Sequence, residues 1–445
     1  MALATQLDIP LAGAEAHDAL HYWADSLAES RGEVFTKTEV VEFILDLVGW
    51  QVGQSLLTKR LLEPSCGSGD FVVPVVRRLL ADAPHATVGE LLPCIRAVEV
   101  NRAAFDLLVQ RVRAVLETHG FSSSEAATLT SAWLLQADFL TQPFSSPFTH
   151  VVGNPPYLRI EALPRPLMQR YRALFRTMYD RADLYIAFYE KGLSLLAPEG
   201  RLGYICANRW TKNRYGGPLR EMIAESFHMD VYVDFTGVDA FHGEVTAYPS
   251  VTIIRNGSGE HTQIIDKEDV LCANLPELSG HLLARTDDPR IKYLSKFKEK
   301  RAPWLLSNAA RLLVVKDLEH RLPTLEKAGC KVGIGVATGA DKVYIGTDAQ
   351  LDVEAPAYGI ENHLNYFHQH QRGLPPALTR GLSAFLNSTL FDEYFRQFNG
   401  HTQVNATDLH RPAQPGRTRP PHQLAQISLP DRALRARVVA AIRQA

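Results

Sequence analysis

The chain has 445 residues, 46% hydrophobic and 22% charged, an ordinary soluble composition long enough for two or three domains. A net charge of −2 excludes a globally basic nucleic-acid binder, so any nucleic-acid surface has to be a local patch. Five scattered cysteines without CxxC spacing argue for a reducing compartment and against a zinc site, and the lack of an apolar run near ~18 residues or a basic-then-apolar leader leads to an expected cytoplasmic location.

In chain order, residues 1–30 read as an extension. Thr36-Lys37-Thr38-Glu39 then matches a capping box, and Val40, Val41, Phe43, Ile44, Leu47 and Val48 follow at helical spacing with a stop near Gly49. From Arg60 to Asn256 short apolar strands alternate with helical segments. The strands read as Arg60–Pro64, Ile95–Val100, Leu134–Phe139, Thr149–Gly153, Arg201–Ala207, Val231–Phe235 and Ser250–Arg255; Asp183–Ala197 and Gly217–Phe227 read as helices. That alternation means an α/β class with a largely parallel sheet, and the missing helix between the last two strands permits an antiparallel pair. Around residues 256–260 the composition turns polar, which suggests a boundary. A second domain is expected over 280–410, with a basic segment from Lys292 to Arg301, glycines 333, 335 and 339, the aromatic and His-rich stretch Tyr366, Phe367, His368 and His370, and the polar run Asn399–Asn405. Residues 411–445 are Pro- and Arg-rich and are expected to lack a fixed fold.

Two kinds of strand end carry chemistry. Leu61-Leu62-Glu63-Pro64-Ser65-Cys66-Gly67-Ser68-Gly69-Asp70-Phe71 is a strand, a small-residue turn and a helix start, where glycines let the backbone pass close beneath a ligand. One βα unit later a strand ends in Glu99, whose carboxylate suits the two hydroxyls of a ribose. The next ends in Asp138-Phe139, an acceptor for an adenine amino group beside an aromatic face. Glu99 equally suits a helix cap, and Asp138 an ordinary loop carboxylate. The order of these ends fits S-adenosylmethionine, bound outside the carboxyl ends of the strands. The fourth strand runs Val151-Val152-Gly153 into Asn154-Pro155-Pro156-Tyr157. Two prolines fix their own dihedrals and hold Asn154 extended. The Asn154 carboxamide oxygen and the Pro155 carbonyl can then accept both hydrogens of a planar amine, turning its lone pair towards a methyl donor. Tyr157 stacks on the ring, a contact typically worth ~1–3 kcal/mol per base. No carboxylate is needed, because the methylated nitrogen is acidic enough to lose its proton afterwards.

These motifs, across residues 30–410, resemble the gamma-arranged N6-adenine DNA methyltransferases, the class of the TaqI- and PstI-type modification methylases. The resemblance implies a seven-stranded Rossmann-like methyltransferase sheet in a catalytic domain over 31–260, then an α+β target-recognition domain. It implies S-adenosylmethionine held by Thr36, Glu63, Ser65, Cys66, Gly67, Gly69, Glu99, Asp138, Phe139 and Asn154. Catalysis would rest on Asn154, Pro155, Pro156 and Tyr157, with Phe241 facing the flipped adenine opposite Tyr157, although Tyr248 lies close in sequence and is also aromatic. Duplex DNA is the implied partner, read by the second domain. Segments 335–342 and 399–405 resemble parts of that reader, and Gln403 and Asn405 equally suit a hydrogen-bonded turn. No nuclease-like acidic cluster with a lysine is visible, so a stand-alone modification enzyme is expected, a monomer or weak dimer, with room for a separate cognate restriction endonuclease. The same Asn-Pro-Pro-Tyr loop also serves methylation of rRNA bases and of protein glutamine, and a catalytically silent DNA-binding subunit is a further alternative.

Overall fold

Strands that bury both faces alternate with helices that bury one, and this sets the layers. A computed structural model describes Leu20, Ala24, residues 34–145, 147–243, 248–295, 300–304 and Leu306, with the backbone of two strands further on. Helix α1 (Thr38–Val48) buries Val40, Val41, Phe43, Ile44, Leu47 and Val48 and ends on Gly49, whose φ of 85° places it in the left-handed region open to glycine. Beyond it come β1 (Leu61–Glu63), α2 (Val72–Asp82), β2 (Ile95–Glu99), α3 (Arg102–Thr118), α4 (Ser123–Trp133), β3 (Leu134–Gln136) and β4 (Phe148–Gly153). The chain continues through α5 (Arg165–Leu174), α6 (Tyr185–Ser194), β5 (Leu196–Ala207), α7 (Gly217–Ser226), β6 (His228–Asp234), β7 (Pro249–Arg255), β8 (His261–Ile265), α8 (Leu275–Ala284) and β9 (Lys292–Ser295).

The nine strands form one sheet in the order β3-β2-β1-β4-β5-β7-β6-β8-β9. From β3 to β5 every pairing is parallel, with Glu63 opposite Ala97 and Gly153 opposite Tyr204. β7 runs antiparallel between β5 and β6, placing Val251 opposite both Ile205 and Val233. The α/β class and the antiparallel pair expected from the sequence are present, but nine strands replace seven. β8 pairs parallel with β6, and β9 pairs antiparallel with β8. The polar turn at 256–260 is therefore a connection within the sheet, and α8 returns to α1, where Ser279 Oγ donates to Asp46 Oδ2 at 3.2 Å. The first compact unit runs to Ser307, well beyond the change in composition. A second unit spans Asn308–Ala445 and contains the antiparallel pair β10 (Lys331–Ile334) and β11 (Asn365–His368). The glycine-rich turn, Gln403, Asn405 and the Pro/Arg-rich tail lie outside the described residues.

Two apolar layers cover the sheet. One is built from α1 and α2 with Trp50 and Trp133, the other from α6, Tyr171, Tyr204 and Trp210. Where α1 lies on β5 the fit is close, since a Cβ on Gly203 would sit 2.5 Å from Val48 Cγ1 and 3.0 Å from Ile44 Cγ2. Both neighbours are β-branched and stiff. Gly203→Ala is expected to cost about 1–3 kcal/mol by overpacking, read as a lower urea midpoint at unchanged m-value. An unchanged midpoint would show that α1 moves freely on the sheet.

Candidate active site

The sheet reverses its winding between β1 and β4, and there the carboxyl ends of adjacent parallel strands diverge to leave a crevice. A cleft of about 850 Å³ lies at that place. Thr36, Glu63, Ser65, Cys66, Gly67, Glu99, Asp138, Phe139, Asn154 and Pro156 all line it, together with Val34, Asp70, Tyr171 and Phe188. Residues from five separate segments thus meet as the sequence order implied. Gly69, Pro155, Tyr157 and Phe241 stand outside its lining.

The turn after β1 is held by its neighbour strand. Cys66 N–H donates to Val98 O (3.0 Å), its thiol does the same (3.2 Å), and Gly69 N–H closes the turn on Cys66 O (2.8 Å). Gly67 has φ +50°, and a Cβ there would meet no atom within 4 Å, so its backbone faces open space in the cleft. Gly69 serves packing instead, because with φ +103° a Cβ would lie 2.6 Å from Leu108 Cδ1. Glu99 is 5% exposed, and its carboxylate accepts the Gly67 N–H at 2.8 Å and the Asn101 N–H at 2.7 Å. It is not the cap of α3, since Asn101 performs that role through its own side chain, accepting from Ala104 N–H at 2.8 Å. Glu99 is thereby held rigidly at the edge of the cleft.

Glu63, 2% exposed, sits at the end of β1 with Oε2 buried and without a partner. Burial, with Asp70 and Glu99 nearby, pushes its carboxyl well above the usual range. A buried acceptor without a donor is costly unless a ligand supplies one. At the end of β3, Asp138 accepts Leu140 N–H at 2.9 Å and the Thr141 hydroxyl at 2.8 Å, and Tyr171 of α5 also donates to it. Burial raises its carboxyl, these bonds opposing it. It therefore orders its own turn as well as facing the cleft. Phe139 packs against Phe188 at 5.3 Å and Phe144 at 6.0 Å, with Lys191 Nζ 5.1 Å above its ring. The ammonium donates to Leu140 O (3.1 Å) and Gln142 O (2.6 Å), and burial lowers it to about 8.

Asn154 is oriented by a device that local sequence did not reveal. Its Nδ2 donates to Val34 O at 2.8 Å and to Thr36 Oγ1 at 3.1 Å, while Oδ1 is buried without a partner. A carbonyl can only accept, so the amide cannot turn over without losing the Val34 bond. Thr36 does not form the expected capping box: α1 begins after Lys37 with no side-chain cap, and the Thr36 hydroxyl goes to Asn154. The chain before α1 is itself anchored to the segment carrying Phe241, by Lys37 N–H to Ala240 O (3.0 Å) and His242 N–H to Phe35 O (3.0 Å). On the far side, Leu184 N–H to Leu158 O (2.6 Å) and Ile160 N–H to Ala182 O (3.0 Å) pin the loop after Tyr157.

Tyr157 meets Phe241 edge-on, with centroids 6.3 Å apart and planes at 86°. The two rings are neighbours at right angles, not the opposed parallel faces that a base sandwiched between them requires. Among the described residues no ring contact joins Tyr248 to Tyr157; its carbonyl instead accepts Asn208 N–H at 2.8 Å. Behind Tyr157 stands Tyr185 at 6.5 Å, whose hydroxyl meets Tyr215 Oη at 2.9 Å, and Tyr215 donates to Asp183 Oδ2 at 2.7 Å. The Tyr157 hydroxyl is buried and lacks a partner, and burial drives its ionisation up. Val34, Tyr171 and Lys191 were missed from sequence, because each acts through a contact made across tens of residues.

A parallel sheet with β7 reversed between β5 and β6, a glycine turn after β1 and Asn-Pro-Pro-Tyr after β4 define a Rossmann-like methyltransferase. A profile described as Eco57I restriction-modification methylase matches residues 98–241. The type II methyltransferase M.PstI of Providencia stuartii is 58% identical, over 88% of each chain. M.PaeR7I of Pseudomonas aeruginosa is 48% identical over 73% of this chain, and M.XhoI of Xanthomonas vasicola 44% over 74%. The chain spans 58% and 62% of the length of those last two relatives. It belongs to the type II methyltransferases of restriction-modification systems.

Proposed function

We propose that this protein transfers a methyl group from S-adenosylmethionine to the 6-amino group of an adenine rotated out of duplex DNA, as the modification partner of a restriction system. The observation that carries the reading is the Asn154 amide, fixed by Val34 so that a buried, unpartnered Oδ1 is offered at the cleft. S-adenosylmethionine, when bound, supplies an electrophilic methyl group on a sulfonium.

The residues present fit that cofactor. Glu99, clamped by two backbone N–H groups and lining the cleft, is the carboxylate that would accept from vicinal ribose hydroxyls. The unpartnered Oε2 of Glu63 suits the cationic methionine end, and the open backbone at Gly67 gives it room, with Ser65 and Cys66 beside it. Asp138 and Phe139 would hold the adenine moiety. Asn154 Oδ1 accepts one hydrogen of the target amine and the Pro155 carbonyl the other, which draws the nitrogen towards tetrahedral geometry. Pro156 stiffens the loop. Tyr157 stacks on the base with Phe241 meeting it at an edge, and the contacts offset the few kcal/mol that extrusion costs.

The division of labour is testable by calorimetry. Asp138→Ala is expected to weaken cofactor binding by roughly tenfold or more, as for loss of a hydrogen bond to a charged group. Asn154→Ala should leave it within about twofold, and equal losses in both would contradict the assignment. Assay of labelled methyl transfer to duplex DNA, rRNA and a glutamine-bearing release factor, side by side, tests the substrate; transfer to either of the last two in preference to DNA overturns the proposal.

A further inference from the structure

We infer that the arginines of α5 and its flanking loops hold the phosphates of duplex DNA beside the Asn154 cleft, so that the catalytic unit itself, and not the second unit alone, grips the backbone. This rests on the DNA reading above and assigns to it a surface that the sequence reading left to residues beyond 280.

Several arginines elsewhere in the unit are matched by carboxylates. Arg78 is matched by Glu42 and Asp46, Arg255 by Asp230 and Glu199, Arg290 by Asp288 and Glu277, and Arg301 by Glu221. Residues 159–181 concentrate the unmatched ones: Arg159, Arg165, Arg170, Arg172, Arg176 and Arg181 are all exposed, and among the described residues none is in an ion pair, whereas Arg77, Arg113, Arg214 and Arg285, likewise exposed and outside any ion pair, are scattered singly. Only Glu161 and Asp180 are exposed acids in that stretch, six cations against two anions in a chain whose net charge is −2. Nearby carboxylates have their closest partners elsewhere, with Arg159 acting on Asp183 and Arg176 on Glu221 only through space. Glu190 accepts the Thr177 N–H and hydroxyl, Asp183 accepts from Tyr215, and Glu221 holds Arg301.

The arrangement has a direction. Arg165, Gln169 and Arg172 recur at i, i+4 and i+7, on the face of α5 opposite buried Leu167 and Tyr171. From Arg165 to Arg172 the helix rises roughly 10 Å, about three base-pair steps of duplex. Arg172 Nη2 donates to Asp180 O at 2.7 Å, which orients its guanidinium without neutralising it. The helix itself lies at the site: from its buried face Tyr171 lines the cleft and donates to Asp138, which leaves the arginines on the outer face beside it. Arg159 follows Tyr157 by two residues in a stretch whose backbone pairs with that of Asp183. A planar guanidinium suits phosphate oxygens, and an unmatched row of them beside the extrusion site suits a polyanion entering there.

The test uses the full chain and a mixed-sequence duplex, measured by fluorescence anisotropy against salt. R165Q/R170Q/R172Q is expected to weaken binding at least tenfold and to reduce the slope of log K against log[salt] by about 2 to 3, since each phosphate contact contributes about 0.9. The lysine counterpart R165K/R170K/R172K should retain most of the slope, and circular dichroism and cofactor calorimetry should show both variants folded. Unchanged affinity and slope in a folded glutamine variant overturn the inference while leaving the DNA reading intact. Wild-type protein that binds no duplex, or prefers single-stranded RNA of the same length, overturns both.

Discussion

Asn154→Ala is expected to lower single-turnover methyl transfer to DNA by roughly 10²–10³-fold or more, the scale for losing one oriented polar group that acts on the reacting centre. On the proposed role the loss falls on chemistry. Asn154 Oδ1 has no protein partner to lose, whereas its Nδ2 is bound to Val34 and Thr36. Removing the side chain would therefore take away the proposed acceptor for the substrate amine in the cleft. Asn154→Asp is expected to fail as well, since a carboxylate cannot donate to the Val34 carbonyl and would be turned away from it. Rates measured at saturating cofactor decide the matter. A variant that transfers at the wild-type rate, or whose loss disappears when cofactor is raised, would remove Asn154 from the reacting centre.

The second large effect is expected at Glu99. Glu99→Ala should weaken cofactor binding about 10²-fold and cost about 1–3 kcal/mol of stability, because charged hydrogen bonds are lost and buried N–H groups are left without acceptors. Both consequences follow from one carboxylate: it fixes the Gly67 turn at 2.8 Å and the start of α3 at 2.7 Å, and it faces the cleft. Glu99→Gln, which keeps one acceptor oxygen, should fall between. Calorimetry and urea unfolding read the two effects separately. Wild-type cofactor affinity in Glu99→Ala would mean that the cleft does not bind a ribose there.

How far the sequence foretold this site depends on the range of the contact concerned. Glu63, Glu99, Asp138 and Asn154 were legible because each stands at or just beyond the end of a short strand, and parallel strands bring such ends to one edge. Thr36 came to the cleft only through the family resemblance: its Thr-x-x-Glu spacing suggests a cap that does not form, and nothing local shows that its hydroxyl accepts from a residue 118 positions away. Val34 and Tyr171 gave no signal, since a backbone carbonyl and a helical tyrosine acquire meaning only when the chain is folded around them. The sheet was extended by two strands that composition concealed. His261–Ile265 follows a Gly-Ser-Gly turn that resembles a boundary, yet Thr262 to Ile265 are all buried against β6. The resemblance set Phe241 opposite Tyr157 across a base; the perpendicular packing of their rings could not be read from residue types.

The most direct test of the central claim is sequencing of DNA from a host expressing the protein, read for modified bases. 6-Methyladenine is expected in a single recurrent sequence context, present with the wild-type chain and absent with Asn154→Ala. DNA that carries no modified adenine under wild-type expression, or modification that persists when Asn154 is replaced, would contradict that claim.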